Sequence, residues 1–394
     1  MHTVHRIHYC DAADMAPLES GSVQLVVTSP PYPMIEMWDG LFCRRDPDIG
    51  RLLAQGTAGR RAFEAMHRQL DPVWHELFRV LAPGGLACIN IGDATRSVNG
   101  RFGLHANHTR IQTALQQAGF TPLPAILWRK PTNAPNKFMG SGMLPAGAYV
   151  TLEHEYILIA RKGGKRVFAS ESDKRRRRES AYFWEDRNHW FSDVWTGLIG
   201  TRQALTDAGQ RRRSGAFPLD LPFRLICMFS VKGDTVLDPF MGLGTTMLAA
   251  MAAARNSVGF EIDENLAPAV TAAAGAARDE ANDRIGARLD AHCRFVAQRT
   301  ADGKPPPKHV NRHYGFPVIT RQEVELRFDP VAEVAARTGG FRVDYDPSPP
   351  PDLSRACRLD GDQPVSETID PQRPIAPKRP YTGDSNPQRS LWED

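Results

Sequence analysis

The stretch from Thr235 to Ile262 constrains the fold of this chain more than any other. A short apolar strand leads into the sequence Asp-Pro-Phe-Met-Gly-Leu-Gly-Thr, residues 238–245, and an alanine-rich helix and a second apolar strand follow. Strand, glycine-rich turn, helix and strand in this order are typical of a nucleotide-binding βαβ unit, whose two strands run parallel. The chain is therefore predicted to contain a parallel sheet covered by helices.

Two glycines and one acid give this unit the features of a cofactor site. Gly242 and Gly244 let the backbone turn tightly and approach a ligand without a Cβ atom in the way. Glu261 lies 19 residues after Gly242, at the end of the next strand, where a carboxylate can accept both ribose hydroxyls of a nucleoside. A dinucleotide-binding loop would require a third glycine at position 247, which is Met247. A nucleoside cofactor is therefore predicted, and a nicotinamide oxidoreductase is the weaker alternative.

Short apolar runs alternate with helix-periodic segments along most of the chain. Strands are predicted at 22–28, 86–91, 125–128, 156–160, 235–237 and 257–262, and helices at 61–81, 109–118, 219–230, 246–254 and 264–299. This alternation predicts an α/β fold with a doubly wound, mostly parallel sheet. Residues 34–59 are predicted to form an irregular loop over the site. From residue 300 onward prolines are frequent, which predicts a largely irregular tail.

A second motif, Val-Thr-Ser-Pro-Pro-Tyr, spans residues 27–32 at the end of the first predicted strand. The exocyclic amine of a nucleobase is a weak nucleophile, because its lone pair is delocalised into the ring. Ser29 can accept one amine hydrogen and the Pro30 carbonyl the other, while Pro31 stiffens the corner. Tyr32 offers a face on which a base extruded from the duplex can stack. These four residues are the predicted catalytic residues of an amine methylation.

Basic residues are concentrated within 161–213, although Lys and Arg outnumber Asp and Glu only by 49 to 45 in the whole chain. Aromatic residues are interleaved with them. Such a stretch is typical of a surface that contacts DNA phosphates, and an ordinary solvated surface is the alternative. The predicted DNA contacts are Lys174, Arg175, Arg176, Arg177, Arg178, Arg211, Arg212 and Arg213.

The six cysteines are scattered, and no Cys-x-x-Cys pair occurs. This pattern predicts neither a metal site nor a disulfide framework and is typical of a reducing cytoplasm. The sequence contains no signal-peptide pattern and no apolar run of about 18 residues, so no membrane association is expected. A cytoplasmic protein is therefore predicted.

In their order and spacing these motifs resemble the amino-methyltransferases of bacterial restriction–modification systems, in the arrangement termed the β class. In that class the catalytic tetrapeptide comes first, the target-recognition region second and the cofactor motif last. The resemblance spans roughly residues 8–265 and implies a seven-stranded, Rossmann-like sheet in which the two motif strands are neighbours. It divides the chain into a catalytic half, a target-recognition region, a cofactor-binding half and the proline-rich tail, at residues 1–160, 161–213, 214–299 and 300–394.

The resemblance also implies the ligands. S-adenosylmethionine would be the methyl donor and double-stranded DNA the substrate of a nucleoid-associated enzyme, with Trp128 and Lys130 near the base pocket. The cofactor-binding residues that it implies are Asp11, Phe217, Asp238, Pro239, Phe240, Gly242, Gly244, Thr245 and Glu261. The sequence leaves open whether a cognate restriction endonuclease exists and whether the chain forms a homodimer.

The choice of target base rests on the tetrapeptide. In this family Ser-Pro-Pro-Tyr preceded by threonine is typical of cytosine-N4 enzymes, and Asp-Pro-Pro-Tyr of adenine-N6 enzymes. Some serine forms act on adenine, so cytosine-N4 methylation is the preferred prediction and adenine-N6 methylation the alternative. Cytosine-C5 methylation is disfavoured, because that reaction uses a Pro-Cys loop and the chain has no Pro-Cys dipeptide.

Overall fold

A large twisted sheet carries the residues singled out above. The structure, a computed structural model, describes residues 1–55, 59–98, 100–130, 139–140, 145–146, 148–198 and 217–346. Within these ranges the strands are β1 (His2–His8), β2 (Val23–Thr28), β3 (Leu81–Ile91), β4 (Ala94–Val98), β5 (Arg101–His105), β6 (Thr121–Arg129), β7 (Met139–Gly140), β8 (Ala148–Tyr149), β9 (His154–Arg161), β10 (Val194–Trp195), β11 (Thr235–Asp238), β12 (Asn256–Phe260), β13 (His309–Val310), β14 (Pro317–Val318), β15 (Val331–Arg337) and β16 (Gly340–Tyr345).

Ten of these strands form the large sheet, in the order β10-β6-β9-β3-β2-β11-β12-β1-β16-β15. Strands β3, β2, β11, β12 and β1 run parallel through its centre, and β9 lies antiparallel between β3 and β6. This mostly parallel centre confirms the predicted α/β class. The stretch from β6 to β1 corresponds to the expected seven-stranded sheet, and β10, β16 and β15 extend it at its two edges.

The two motif strands are neighbours, as the resemblance implied. Strands β2 and β11 pair in parallel, with Leu25 opposite Val236 and Val26 opposite Leu237. Parallel neighbours require a crossover connection rather than a hairpin, so this contact joins two distant parts of the chain.

Helices cover both faces of the sheet. In the described ranges they are α1 (Asp39–Arg45), α2 (Asp48–Ala54), α3 (Gly59–Val80), α4 (Asn107–Gln117), α5 (Glu171–Glu179), α6 (Trp184–Trp190), α7 (Asp220–Phe229), α8 (Thr245–Ala252) and α9 (Ala267–Ala301). The five helices predicted from sequence correspond to α3, α4, α7, α8 and α9, with ends shifted by a few residues. None of the helices in the described ranges has the length and apolar character needed to cross a membrane.

Side chains of the central strands alternate between two hydrophobic cores. In β2, Val26 packs toward the face covered by α3, whereas Leu25 and Val27 pack toward the face covered by α7 and α8. In β3, Ala87 and Cys88 are divided between the cores in the same way. This alternation follows from the two-residue period of a strand. Because both faces are buried, the strand sequences are continuous apolar runs.

The prediction of an irregular loop at 34–59 is wrong, because α1 and α2 occupy most of this segment. Each helix buries one large apolar side chain completely, Phe42 in α1 and Ile49 in α2. A helix of seven residues makes only about two turns, too few for a hydrophobic period to show in the sequence. Residues 56–58 lie outside the described residues.

The prediction of an irregular tail from residue 300 is wrong for residues 331–345, most of which belong to β15 and β16. Strand β16 pairs antiparallel with β1, and β15 pairs with β16, so both belong to the large sheet. Phe341, Val343 and Tyr345 alternate with less buried residues, a strand pattern that the nearby prolines obscured. Residues 347–394 lie outside the described residues, and the four domain boundaries stay a prediction.

Candidate active site at the carboxyl ends of the parallel strands

The two sequence motifs lie side by side at one edge of the sheet. Residues 29–32 follow β2 directly, and the glycine turn at 239–244 follows β11, the neighbouring strand. Glu261 comes directly after β12, and its backbone N–H donates to the His8 carbonyl at the end of β1. In an open α/β sheet, ligands bind at this carboxyl edge.

Hydrogen bonds join the two motifs. The buried Thr28 hydroxyl donates to Asp238 Oδ1 at 2.6 Å, and the Phe240 N–H donates to the same oxygen at 3.1 Å. The Thr246 hydroxyl, in the first turn of α8, donates to the Val27 carbonyl at 3.3 Å. Burial of the carboxyl group raises the pKa of Asp238 to about 6. The tetrapeptide at residues 29–32 and the glycine turn are therefore held in a fixed relation at their strand ends.

The glycine turn leaves open space beside its backbone. Gly242 has φ of 54°, and a Cβ atom added there would meet no other atom within 4 Å. The Glu261 carboxylate accepts the Gly242 N–H at 2.9 Å and the Asp263 N–H at 2.8 Å. Gly244 and Thr245 begin α8, whose N-terminus faces the same edge. An open cradle with a fixed carboxylate at its rim fits a nucleoside.

The other predicted cofactor residues lie at the same edge as this cradle. Asp11 follows β1 and pairs with Arg45 of α1. Phe217 is buried just before α7, which begins at the carboxyl edge because it leads back to the start of β11. Pro239 is buried, and the partly buried Phe240 ring lies 6.2 Å from the Trp74 ring in an edge-on arrangement. The structure thus brings all nine predicted residues to one edge, and their contact with a cofactor stays a prediction.

Tyr32 is held through its hydroxyl by a polar network. Its Oη donates to Glu155 Oε2 at 3.0 Å and accepts from Asn90 Nδ2 at 3.0 Å and from Ser29 Oγ at 3.2 Å. Asn90 Nδ2 and Lys130 Nζ also donate to the Glu155 carboxylate, at 2.7 Å and 2.8 Å. Burial and the neighbouring carboxylate of Glu155 raise the pKa of Tyr32 well above its ordinary value. The hydroxyl therefore stays protonated at neutral pH.

The Tyr32 ring also packs against the backbone at Gly92. A Cβ atom added at Gly92 would lie 3.0 Å from Tyr32 Cε2, so this glycine lets the ring pack directly on the backbone. The buried Asn107 amide donates to the Gly92 carbonyl at 3.0 Å and to the Pro33 carbonyl at 3.1 Å. Pro30 and Pro31 are buried. The proline corner and the end of β3 are thereby held together.

Asn90, Glu155 and Asn107 were not predicted from the sequence. The available signal was a polar residue inside or beside an apolar strand, as Asn90 is in β3 and Glu155 in β9. Lys130 was expected at the base pocket, and it contacts the network through Glu155. Trp128 was expected there too, but its side chain is 1% exposed inside the hydrophobic core. Its ring lies 5.3 Å from Lys130 Nζ, and its place at the base pocket stays a prediction.

The predicted DNA-contacting arginines lie elsewhere. Lys174, Arg175, Arg176, Arg177 and Arg178 belong to α5, and Arg176 approaches Gly233, just before the start of β11. This is the amino edge of the sheet, opposite the tetrapeptide. Acidic neighbours pair with three of the five cations, Lys174, Arg176 and Arg178. Their role in DNA binding stays a prediction that this placement does not support, and Arg211, Arg212 and Arg213 lie outside the described residues.

Comparison with known proteins agrees with this geometry. A family model described as DNA methylase matches residues 23–272. The chain is 48% identical over 327 residues to the type II methyltransferase M.MthZI of Methanothermobacter thermautotrophicus, covering 83% of this chain and 90% of that protein. It is 49% identical over 278 residues to M.MjaI of Methanocaldococcus jannaschii, covering 68% and 90%.

A solved structure shares the architecture. It belongs to a Thermus thermophilus protein described as a putative DNA modification methylase, complexed with S-adenosyl-L-methionine. The two chains are 34% identical with a TM-score of 0.52, and the match covers 68% of this chain and 93% of the other. The chain therefore belongs to the family of S-adenosylmethionine-dependent DNA amino-methyltransferases of the restriction–modification type.

Proposed function

We propose that this enzyme methylates the N4 amine of a cytosine that has been flipped out of duplex DNA. The observation that carries the proposal is the position of Ser29 to Tyr32, which stand at the end of β2 directly beside the glycine turn of β11. The hydrogen bond of 2.6 Å between Thr28 and Asp238 joins the ends of these two strands. A base held at the first motif would therefore lie next to a cofactor held at the second.

The tetrapeptide would align the amine for attack. Ser29 Oγ and the Pro30 carbonyl are acceptors that take one amine hydrogen each, which turns the nitrogen lone pair toward the donor. Both atoms belong to a corner stiffened by two prolines, so little reorganisation is needed when the base arrives. Alignment of this kind contributes about 7–11 kcal/mol when reactants are held in near-attack geometry.

Tyr32 would hold the flipped base by stacking. Its hydroxyl is fixed by three hydrogen bonds, and the residue is only partly buried. Stacking of a base on an aromatic ring contributes about 1–3 kcal/mol. This offsets much of the few kcal/mol that are lost when the base leaves the duplex.

The second motif would hold the methyl donor. Bound S-adenosylmethionine supplies an electrophilic sulfonium methyl group. Glu261 at the end of β12 can accept ribose hydroxyls, and Gly242 leaves room for the ligand against the backbone. Asp11, which follows β1, and Phe217, which precedes α7, lie at the same edge.

The cytosine preference rests on Ser29, since serine in this position is typical of cytosine-N4 enzymes in the family that the chain belongs to. Incubation with methyl-labelled S-adenosylmethionine and duplex DNA, followed by digestion to nucleosides, tests it. Label in N4-methylcytosine is the expected result. Label in N6-methyladenine would show that the target base is adenine, with the same fold and motifs. A Ser29→Ala variant serves as the control for background transfer.

We also propose a cognate restriction endonuclease in the same organism, because type II methyltransferases are the relatives of this chain. DNA modified by the enzyme should resist cleavage by a host extract that cuts the unmodified DNA. Equal cleavage of both DNAs would argue for a solitary methyltransferase.

A further inference from the structure

A series of hydrogen bonds leads from Ser29 into the protein. Ser29 Oγ lies 3.2 Å from Tyr32 Oη, which lies 3.0 Å from Glu155 Oε2. Glu155 belongs to β9, and its side chain is 12% exposed. The Glu155 carboxylate ends the series of hydrogen bonds that starts at Ser29. It has no direct part in the proposed alignment of the amine by the tetrapeptide.

The partners of Glu155 fix the direction of this series. The Lys130 ammonium and the Asn90 amide both donate to the carboxylate, and an ionised carboxylate only accepts. The Tyr32 hydroxyl must therefore donate to Glu155, and its oxygen accepts from Asn90 and Ser29. The one hydroxyl hydrogen of Ser29 is thereby used inside the series. Lone pairs of Ser29 Oγ are left to accept an N–H of the target amine.

We propose that Glu155 is a positioning residue for methyl transfer, which orients the Tyr32 and Ser29 hydroxyls so that Ser29 presents an acceptor to the target amine. The inference rests on the amine methylation proposed above and applies to cytosine and adenine alike. Glu155 acts only through Tyr32 and Ser29. Without it, Ser29 is free to turn its hydrogen toward the amine, where two donors would oppose each other.

The protein offers a matched control two residues earlier. Glu153 pairs with Arg129 at 3.2 Å, as Glu155 pairs with Lys130 at 2.8 Å. The Glu153 side chain is 46% exposed, and the hydrogen bonds of the Tyr32 hydroxyl go to other residues. Glu153→Gln therefore removes a carboxylate of an adjacent ion pair without changing the hydrogen bonds from Ser29 to Glu155.

The experiment compares Glu155→Gln with Glu153→Gln in single-turnover methylation at saturating duplex DNA and S-adenosylmethionine. Glutamine keeps the shape of glutamate, but its amide can donate to the Tyr32 hydroxyl. This would reverse the direction of the hydrogen bonds between Ser29, Tyr32 and residue 155. The Glu155→Gln rate should fall roughly threefold to tenfold, the effect of about one net hydrogen bond. Affinities for the cofactor and the duplex should change less than about twofold. Glu153→Gln should keep the original rate.

A double-mutant cycle with Tyr32→Phe separates positioning from a merely structural role. Tyr32→Phe keeps the ring but interrupts the series of hydrogen bonds, so adding Glu155→Gln to it should have no further effect on the rate. Additive losses, or an unchanged rate in Tyr32→Phe, would overturn the proposal. An unchanged rate in Tyr32→Phe would overturn the proposal even if the Glu155→Gln variant does not fold.

The base assignment is read separately in the same samples. Nucleoside analysis of the labelled DNA reports whether cytosine or adenine is modified, whereas the cycle reports only on Glu155. A label in adenine together with a non-additive cycle would therefore overturn the cytosine proposal and support the role of Glu155.

Discussion

At the scale of single residues, the proposed methyl transfer depends on how the Tyr32 ring is held. Three hydrogen bonds fix its hydroxyl, and Gly92 allows the ring to pack directly against the backbone. The position of the ring is therefore set before any base arrives, which lowers the entropy that binding must remove. Substitutions in this group should change the rate of methyl transfer more than the binding of the cofactor.

Tyr32→Ala removes the stacking face. Because base stacking contributes about 1–3 kcal/mol, turnover should fall by roughly 5-fold to 150-fold. Calorimetry with S-adenosylmethionine should show an almost unchanged affinity, since the ring belongs to the tetrapeptide and not to the glycine turn. Tyr32→Phe, which keeps the face, should lose much less. Equal losses in both variants would contradict the stacking role.

Glu261→Ala should weaken S-adenosylmethionine binding. The substitution removes the carboxylate at the rim of the cradle and the acceptor of the Gly242 N–H, so both the proposed ribose contacts and the turn are affected. We expect a dissociation constant about tenfold higher or more, since hydrogen bonds to a charged group contribute about 1.5–3 kcal/mol. Glu261→Gln, which keeps one acceptor oxygen, should lose less. An unchanged affinity in calorimetry would place the ribose elsewhere.

Asp238 should make stability depend on pH. Its folded-state pKa is raised to about 6 by burial, so the folded chain binds this proton more tightly than the unfolded chain does. Its contribution is therefore largest below the ordinary pKa of aspartate and is lost as pH rises through about 6. Asp238→Asn keeps an acceptor for Thr28 and should gain stability relative to the original protein as pH rises from about 4 to about 7. The same pH dependence of the free energy of unfolding in both proteins, measured with denaturant, would contradict this.

Much of the site could be predicted because each motif is contiguous. Asp238, Gly242 and Glu261 belong to one βαβ unit, and its spacing alone brings them together. Asn90 and Glu155 could not be found in this way, because β3 and β9 pair in a register that places both residues near Tyr32. That register depends on the packed cores of the whole sheet and is not visible in either strand alone.

At the scale of elements, the position of α5 determines how its basic run can be tested as a DNA surface. The helix lies at the amino edge of the sheet, and Ser180 at its end accepts the Lys232 N–H, just before β11. Charge alone does not indicate which edge of the sheet such a run will reach. The β4–β5 hairpin, in contrast, follows the carboxyl end of β3, beside Tyr32.

These placements predict different effects of two exposed arginines on DNA binding. Arg175→Ala in α5 should leave the salt dependence of duplex affinity unchanged, because a duplex over the carboxyl edge does not reach it. Arg101→Ala in β5 should reduce the log–log slope by roughly 0.9, the value for one phosphate contact. Titrations at several salt concentrations measure both slopes. A smaller slope for Arg175→Ala alone would restore α5 as the DNA surface.

At the scale of the whole molecule, β15 and β16 enlarge the sheet beyond the segment that the family model matches, residues 23–272. Tyr345 Oη contacts the Thr3 hydroxyl at 2.9 Å and donates to the Met251 carbonyl at 2.8 Å. These buried bonds join β16 to β1 and to α8. The hairpin is therefore part of the domain that carries the site.

Two adjacent glycines test this attachment. A Cβ atom at Gly340 would lie 1.8 Å from the His5 carbonyl oxygen, whereas one at Gly339 would meet no atom within 4 Å. Both residues have positive φ, of 151° and 74°, so only Gly340→Ala adds a clash with β1. It should lower the free energy of unfolding by about 1–3 kcal/mol more than Gly339→Ala does. Similar melting temperatures of the two variants would show that the attachment of the β15–β16 hairpin to β1 does not contribute to stability.

The pairing of β16 with β1 also brings distant positions in the chain together, since the Tyr345 N–H donates to the Met1 carbonyl at 3.1 Å. In a variant without residues 347–394, a short peptide could join these positions, and the backbone could be opened in the exposed turn at residues 163–165. Such a circularly permuted protein would have its glycine turn before its proline corner, yet β2 and β11 would remain neighbours. Motif order is thus a property of connectivity, and the chemistry depends on spatial adjacency.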